Sequence, residues 1–460
     1  MMTPLRIVTA ALGALVGLAC GNAPAPSIVL VSIDSLRADR LGCYGAERDT
    51  SPAIDALAAE GVRFDAAIAP TSWTLPSHVT LLTGLTIPAH RVNQPGRRID
   101  AGRRLLAEHL RAQEYRTAAF VSAPFLHRAY GFDRGFELYE NFQSVREAQV
   151  PPSREAHGGS HEDETAPLVV DAAVKWLDQR PVGKEPWFLF VHLWDVHHDF
   201  LPPAPYDTLF DPDYSGSLDP RGFDQNDAIA PDMPVRDLEY LRALYDGEIR
   251  WLDHHLERLF QAIREREPEE RVIVALVSDH GDEFFEHGMK GHMHNLHEES
   301  VRVPWILRAP RDVGPGAISG VVGLEDVAPT LLGLAGQPPM PEATGRNLAA
   351  FLRRGDPVYG TVLMNLNQLV GLRGPGWKVI LDGSTQAAVY YDLSSDPHEK
   401  RLLDARSVAP GKLELLQARL RAEREHGDAL SWEGSSDVPL DDETKSRLRA
   451  LGYVEEDDSF

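Results

Sequence analysis

Residues 271–305 read RVIVALVSDHGDEFFEHGMKGHMHNLHEESVRVPW, and the fold turns on how this stretch divides. An apolar, β-branched run from Val272 to Val277 stops abruptly at Ser278-Asp279-His280-Gly281. That is the pattern of a strand buried on both faces. Such a strand delivers a carboxylate and an imidazole to its carboxyl end, where open α/β sheets bind ligands. Asp and His are also metal-ligand types, and more acids and histidines crowd the next twenty residues.

Similar apolar runs recur at Ile28–Ile33, Thr117–Val121, Trp187–Leu193 and Val303–Leu307. Helical patterns separate them at 51–60, 101–113, 166–179 and near 236–266, the last bracketed by Pro234 and Pro268. This alternation predicts an α/β fold, a large mostly parallel sheet sandwiched by helices. Beyond Gly336–Pro341, short strands at Tyr359–Met364, Trp377–Leu381 and Val389–Leu393 precede a charged helix at 410–427. They predict a small C-terminal α+β subdomain. The division is therefore a leader and tether at 1–26, a catalytic domain at 27–340, and the subdomain with an acidic tail at 341–460. The stretches 150–165 and 201–234 read as long loops, which are often functional.

A chain of 460 residues with 43% hydrophobic content can bury a sizeable core, and its net charge of −23 argues against nucleic acid or an anionic membrane as partner. An anionic substrate would need local positive charge from a metal, His or Arg. Arg6 precedes the apolar run Ile7–Ala19, too short and weak for a membrane span, and Gly17-Leu18-Ala19-Cys20 is similar to a lipoprotein signal. An exported protein is expected, lipid-anchored at Cys20 or cut as an ordinary signal between Ala19 and Ala25. Only Cys43 remains in the body, so neither a disulfide framework nor a cysteine metal site can form there.

Four clusters carry the chemistry: Asp34 at the end of Ile28–Ile33; Trp73-Thr74-Leu75-Pro76-Ser77-His78; His192-Leu-Trp-Asp195-Val-His197-His198; and Asp279-His280 with its downstream histidines. With Ser51-Pro-Ala-Ile-Asp, Tyr245-Asp-Gly-Glu-Ile-Arg, Leu296-His-Glu-Glu-Ser-Val-Arg-Val-Pro, Asp326-Val-Ala-Pro-Thr and Tyr391-Asp-Leu-Ser-Ser-Asp-Pro-His-Glu, in that order, the chain resembles the sulfatases of the alkaline phosphatase superfamily. The resemblance implies an alkaline phosphatase-like fold and a hydrolase of sulfuric or phosphoric esters. It also implies one divalent ion, calcium by analogy, with Mn, Zn or Mg as alternatives. The implied metal ligands are Asp34, Thr74, Asp279 and His280.

The departures are as informative. Sulfatases carry Cys-x-Pro-Ser-Arg, whose cysteine becomes formylglycine; here the aligned residues are Thr74-Leu-Pro76-Ser77-His78, so no formylglycine is expected. The family's Lys-His pair is replaced by Phe120-Val-Ser-Ala-Pro-Phe, and its paired Asp-Asp by Asp34-Ser35. In these respects the chain resembles the superfamily's threonine-nucleophile phosphodiesterases and, in its metal ligands, the phosphonate hydrolases. Thr74 is then the nucleophile, near the cap of a helix that Pro76 helps begin. His78 would steady it or an oxyanion, and His197 and His292 would contact substrate or protonate the leaving group. His192, His198, His287, His294 and His297 are weaker candidates, Arg37 would support the Asp34 loop, and Glu298 and Glu299 would cap the next helix.

The expected substrate is a small-molecule, glycan or lipid ester, with no nucleic acid and no membrane contact beyond the lipid anchor. Two rivals are a phospho-headgroup transferase and a silent binding protein. Mass spectrometry of protein from cells should find a mature chain beginning between Cys20 and Pro26; an unprocessed Met1 would refute export.

Overall fold

The computed structural model describes residues 25–142, 165–180, 183, 185–309, 311, 313–430 and 438. The candidate signal with Cys20, the stretch 150–164 and the acidic tail lie outside the described residues. In chain order the first strands are β1 (Ser27–Ile33), β2 (Val62–Ile68), β3 (Arg116–Val121), β4 (Leu138–Asn141), β5 (Trp187–Leu193) and β6 (Val272–Ser278). A small hairpin, β7 (Glu283–Phe284) with β8 (Lys290–Gly291), is followed by β9 (Arg302–Val303), β10 (Trp305–Arg308) and β11 (Gly316–Gly323).

The main sheet runs β11-β2-β10-β6-β1-β5-β3-β4, with β9 also paired to β2. From β6 to β4 every pairing is parallel, as expected for strands read as unbroken apolar runs. Between β6 and β2 lies β10, antiparallel to both. The expected strand Val303–Leu307 is thus two: Pro304 offers no N–H to a ladder, and the run breaks there into β9 and β10. The expected helix at 101–113 is shorter, Leu106–Arg111, while those at Ala166–Asp178 and Val235–Arg266 lie close to expectation.

Both sheet faces are covered because strand side chains alternate. From β1, Ile28 and Leu30 join a core containing Leu75, Val79 and Leu82 of the helix Thr74–Thr83. Val29, Val31 and Ile33 face the other way, onto Val169 and Val170 of Ala166–Asp178 and Leu241, Ile249 and Leu256 of the long helix. No helix among the described residues is long and apolar enough to cross a membrane.

A second sheet is antiparallel throughout, in the order β12 (Val362–Leu366), β13 (Leu369–Gly374), β14 (Trp377–Asp382), β15 (Ala388–Asp392) and β16 (Leu403–Asp404). Leu413, Leu416 and Leu420 of the helix Pro410–Ala429 cover it. The junction with the catalytic part is ionic. Lys378 on β14 is fully buried, 2.9 Å from Glu298 and 2.8 Å from Glu399, and it donates to Leu296 O at 2.8 Å. Glu298 also pairs with Arg373, so it ties the two parts together rather than only capping a helix.

Removing one partner from a buried ionic group leaves the others uncompensated. Lys378→Met should therefore lower stability by about 3–5 kcal/mol, read by chemical denaturation; a loss under 1 kcal/mol would show that the junction is hydrated.

Candidate active site

Strands β1 and β6 are adjacent, parallel and in register, with Ile33 opposite Ser278. The residues that follow them, Asp34 and Asp279, are therefore set side by side, and both are fully buried. Their carboxylates and an imidazole nitrogen of His280 offer ligand atoms within 4.8 Å of one another. Asp279 Oδ1 accepts the backbone N–H groups of Ser35 (3.3 Å) and His280 (2.9 Å), and Asp34 Oδ1 accepts from Ser35 Oγ at 3.1 Å. The second oxygen of each, Oδ2, is buried without a hydrogen bond.

Thr74 is also fully buried, and its Oγ1 lies 3.2 Å from His280 Nε2. His280 Nδ1 faces Gly281 O at 3.3 Å and can only donate there, which leaves Nε2 as a lone-pair atom directed at the hydroxyl and carboxylates. Burial lowers the His280 pKa to about 3. Burial raises both carboxyls, Asp279 strongly, because Asp34 adds its own charge. Two orphaned carboxylate oxygens, a neutral imidazole lone pair and a hydroxyl are the donor set of a divalent cation.

The helix carrying the hydroxyl begins at Thr74 itself, with Trp73 in the capping position and no side-chain cap. The expected cap is thus displaced by one residue, and Thr74 Oγ1 turns into the site. Ser77 Oγ donates to Asp279 O at 2.6 Å, fastening this helix to the end of β6. His78 has both nitrogens occupied. Nδ1 donates to Thr74 O at 2.9 Å, so the neutral ring accepts from Ser32 Oγ at Nε2, also 2.9 Å. Burial holds its pKa near 3, and its ring lies behind the Thr74 backbone. Ser35, φ +56°, holds the turn after Asp34 in the left-handed region, a strain of about 1–3 kcal/mol typical of functional turns.

A second group adjoins the first. His292 Nδ1 meets Asp282 Oδ1 at 2.7 Å, and the His292 ring is 4.4 Å from that of His280. Burial alone would raise the Asp282 carboxyl, but His292 and His198 hold it well below the usual range. His197 stacks on Trp194 with ring centroids 3.9 Å apart and lies 4.9 Å from the His292 ring; its Nδ1 donates to His198 O at 2.7 Å. His280, Asp282 and His292, and likewise His197, His198 and His292, are spaced as metal ligands could be.

His192 sits opposite Ser32, buried, with Nε2 3.4 Å from Asp34 Oδ2. His287 and His297 turn away to Glu299 and Glu399. Arg37 bonds Asp39, Glu286 and Asp282 O, bracing the Asp34 loop. Sequence reasoning missed Ser32, Ser35, Ser77 and Asp282. The last is one of four acids between 279 and 286, and nothing in the spacing singles it out.

With this geometry in view, a profile described as Sulfatase matches residues 26–337, more than half of the chain. The chain belongs to the sulfatase family. It is a hydrolase of the sulfatase family. Human arylsulfatase A is 28% identical over 457 residues, covering 86% of this chain and 85% of that protein. The multifunctional alkaline phosphatase superfamily protein PehA of Trinickia caryophylli is 24% identical over 405 residues, 72% of this chain and 78% of that one. The phosphonate monoester hydrolase of Agrobacterium radiobacter superposes with a TM-score of 0.70 at 23% identity, covering 87% of this chain and 96% of its own; that likeness establishes the fold. Sulfatase-family proteins generally bind a divalent metal.

Chelator-treated protein should rebind divalent metal at the Asp34–Asp279–His280 group. Asp279→Asn should weaken that binding by at least about 100-fold in calorimetry. Unchanged affinity would move the ion elsewhere.

Proposed function

We propose that this sulfatase-family protein is an exported, metal-dependent hydrolase that uses Thr74 as its nucleophile and favours phosphodiesters or phosphonate esters over sulfate esters. The observation that carries the reading is the position of Thr74 Oγ1, 3.2 Å from His280 Nε2, beside two buried carboxylates with unsatisfied oxygens. Asp34, Thr74, Asp279 and His280 would hold the divalent ion. When bound, it supplies Lewis-acid neutralisation of the transferring oxygens and keeps the Thr74 hydroxyl ionised at neutral pH.

The chain's own groups account for the remaining steps. Thr74 Oγ attacks phosphorus in line, and the bond to the leaving oxygen breaks on the opposite side. His292, its Nδ1–H held by Asp282, gives the departing alkoxide a proton from Nε2. His197 faces the same space and contacts the ester's organic portion. Water then attacks the Thr74 phosphoester, returns a proton to His292 and frees the threonine. His78 and Ser77 keep the hydroxyl on line by tying its helix to β1 and β6.

The preference for phosphorus rests on two residues' chemistry. Threonine cannot be matured to formylglycine, and Phe120 begins the segment where sulfate-cleaving relatives carry Lys and His. The substrate class is a small-molecule or glycan ester, consistent with the relatives. A silent binding protein would have no need of an unsatisfied buried acid pair beside a hydroxyl.

Thr74→Ala should reduce turnover of an aryl phosphodiester by about 1000-fold or more while metal content stays near wild type. Wild-type protein should turn over that ester and a phosphonate monoester faster than an aryl sulfate. Full activity of the variant, or a strong preference for sulfate, would overturn the reading.

A further inference from the structure

A histidine interrupts an apolar face of the main sheet. His192 follows Phe188 and Phe190 on one side of β5, and all three are fully buried. Another phenylalanine there would pack at no polar cost, whereas an imidazole brings two nitrogens that need partners. Neither nitrogen of His192 has a hydrogen bond. The His78 ring meets it edge-on with centroids 4.8 Å apart. It offers no partner, because both His78 nitrogens are engaged by Thr74 and Ser32. The polar group that does face His192 is Asp34, whose Oδ2 lies 3.4 Å from Nε2.

The sheet gives this arrangement little freedom. β5 lies between β1 and β3, with His192 opposite Ser32, and Ser122 Oγ donates to His192 O at 3.3 Å. Nε2 must carry a hydrogen, since a lone pair there would point at the carboxylate's own lone pairs. At 3.4 Å the N–H and the carboxylate meet as a charge–dipole contact, a little longer than an ordinary hydrogen bond. His192 also stands outside the ligand cluster. The group containing Asp34 whose ligand atoms lie within 4.8 Å of one another comprises Asp34, Asp279 and His280. An N–H beside a ligating carboxylate, but outside the cluster, is the arrangement by which proteins orient metal ligands.

We infer that His192 is a positioning residue for Asp34 and sets which ion the site prefers. Its Nε2–H engages one lone pair of Oδ2 and leaves the other to the ion. The inference rests on the reading of Asp34, Thr74, Asp279 and His280 as the site of a divalent cation. Asp34 is then restrained at both oxygens, by Ser35 Oγ at Oδ1 and by His192 at Oδ2. A carboxylate so restrained cannot swing between one-oxygen and two-oxygen coordination. Calcium exploits that freedom, taking about six to eight oxygens at about 2.3–2.6 Å. A zinc-like ion takes fewer ligands at about 2.0–2.2 Å and accepts imidazole, which His280 supplies. The restraint at Asp34 therefore favours the smaller ion.

The test titrates chelator-treated full-length protein with Co²⁺, a coloured stand-in for zinc, and with Ca²⁺. Wild type should bind Co²⁺ more tightly; the reverse order would overturn the inference without any variant. His192→Met, which fills the space without a donor, should weaken Co²⁺ by about 10–100-fold and Ca²⁺ by less than about threefold. His192→Gln, which can return an N–H to Asp34, should bind Co²⁺ within about threefold of wild type. At saturation both variants should keep the wild-type Co²⁺ absorption bands, because no direct ligand is lost. Equal weakening of both ions in His192→Met, or none, would reduce His192 to a packing residue. Shifted bands would make it a ligand, and either result overturns the inference. Asp279→Asn separates this outcome from failure of the underlying reading. Unchanged Co²⁺ binding there would remove the cation site itself. Weakened binding there, beside an unaffected His192→Met, would remove only the role of His192.

Discussion

Two carboxylates that cannot move apart set the terms for everything around them. Asp34 and Asp279 terminate neighbouring strands locked in parallel register, and burial removes the water that would screen them. With ligand oxygens within 4.8 Å of each other, two full charges repel by at least roughly 3 kcal/mol at an effective dielectric constant of 20. A proton or a bound cation can relieve that repulsion; separation cannot, because the sheet holds both backbones. Burial raises both carboxyl pKa values, and at Asp279 the charge of Asp34 adds to that rise.

The surroundings are organised to keep this pair poised. One oxygen of each carboxylate is satisfied by Ser35, whose left-handed backbone lets its N–H reach Asp279 while its hydroxyl reaches Asp34. The other oxygen of each is left without a hydrogen bond. Nearby imidazoles are kept neutral by burial, with His280, His78 and His192 all lowered to about 3. Neutral rings provide lone pairs and directional hydrogen bonds without competing for the carboxylates as cations would. His198, by contrast, is drawn upward by Asp224 and Asp282 despite burial, so the second histidine group is electrostatically distinct from the first.

Much of this was legible in residues that obey a period. The runs 272–277 and 187–193 are apolar throughout because both faces of their strands are covered, and each ends where chemistry begins. Asp34, Asp279 and His280 were readable for that reason, and Thr74 through its place in a family motif. What escaped depended on partners distant in sequence. Ser32, on a core strand, serves a histidine 46 residues away, and Asp282 earns its role only because a loop brings His292 back to it. The strand Val62–Ile68 reads VRFDAAI, with polar residues and two alanines, and lacks the unbroken apolar run that marked its neighbours. Glu298 resembled a helix cap locally; its real partners, Lys378 and Arg373, lie on the other sheet.

The central position of β1 also governs the order in which the molecule can assemble. This strand leaves the ribosome first among the described elements, yet its two neighbours, β5 and β6, begin at Trp187 and Val272. Closing such long loops is entropically slow, and a strand with two apolar faces and two unpaired edges is prone to mispairing while it waits. A nascent chain of 250 residues therefore holds Asp34 and Thr74 but neither Asp279 nor the strand that would seat it. Synthesis must pass residue 280 before Asp34, Thr74, Asp279 and His280 can all be in place, so folding of the central sheet and completion of the candidate site become nearly one event, late in the life of the growing chain.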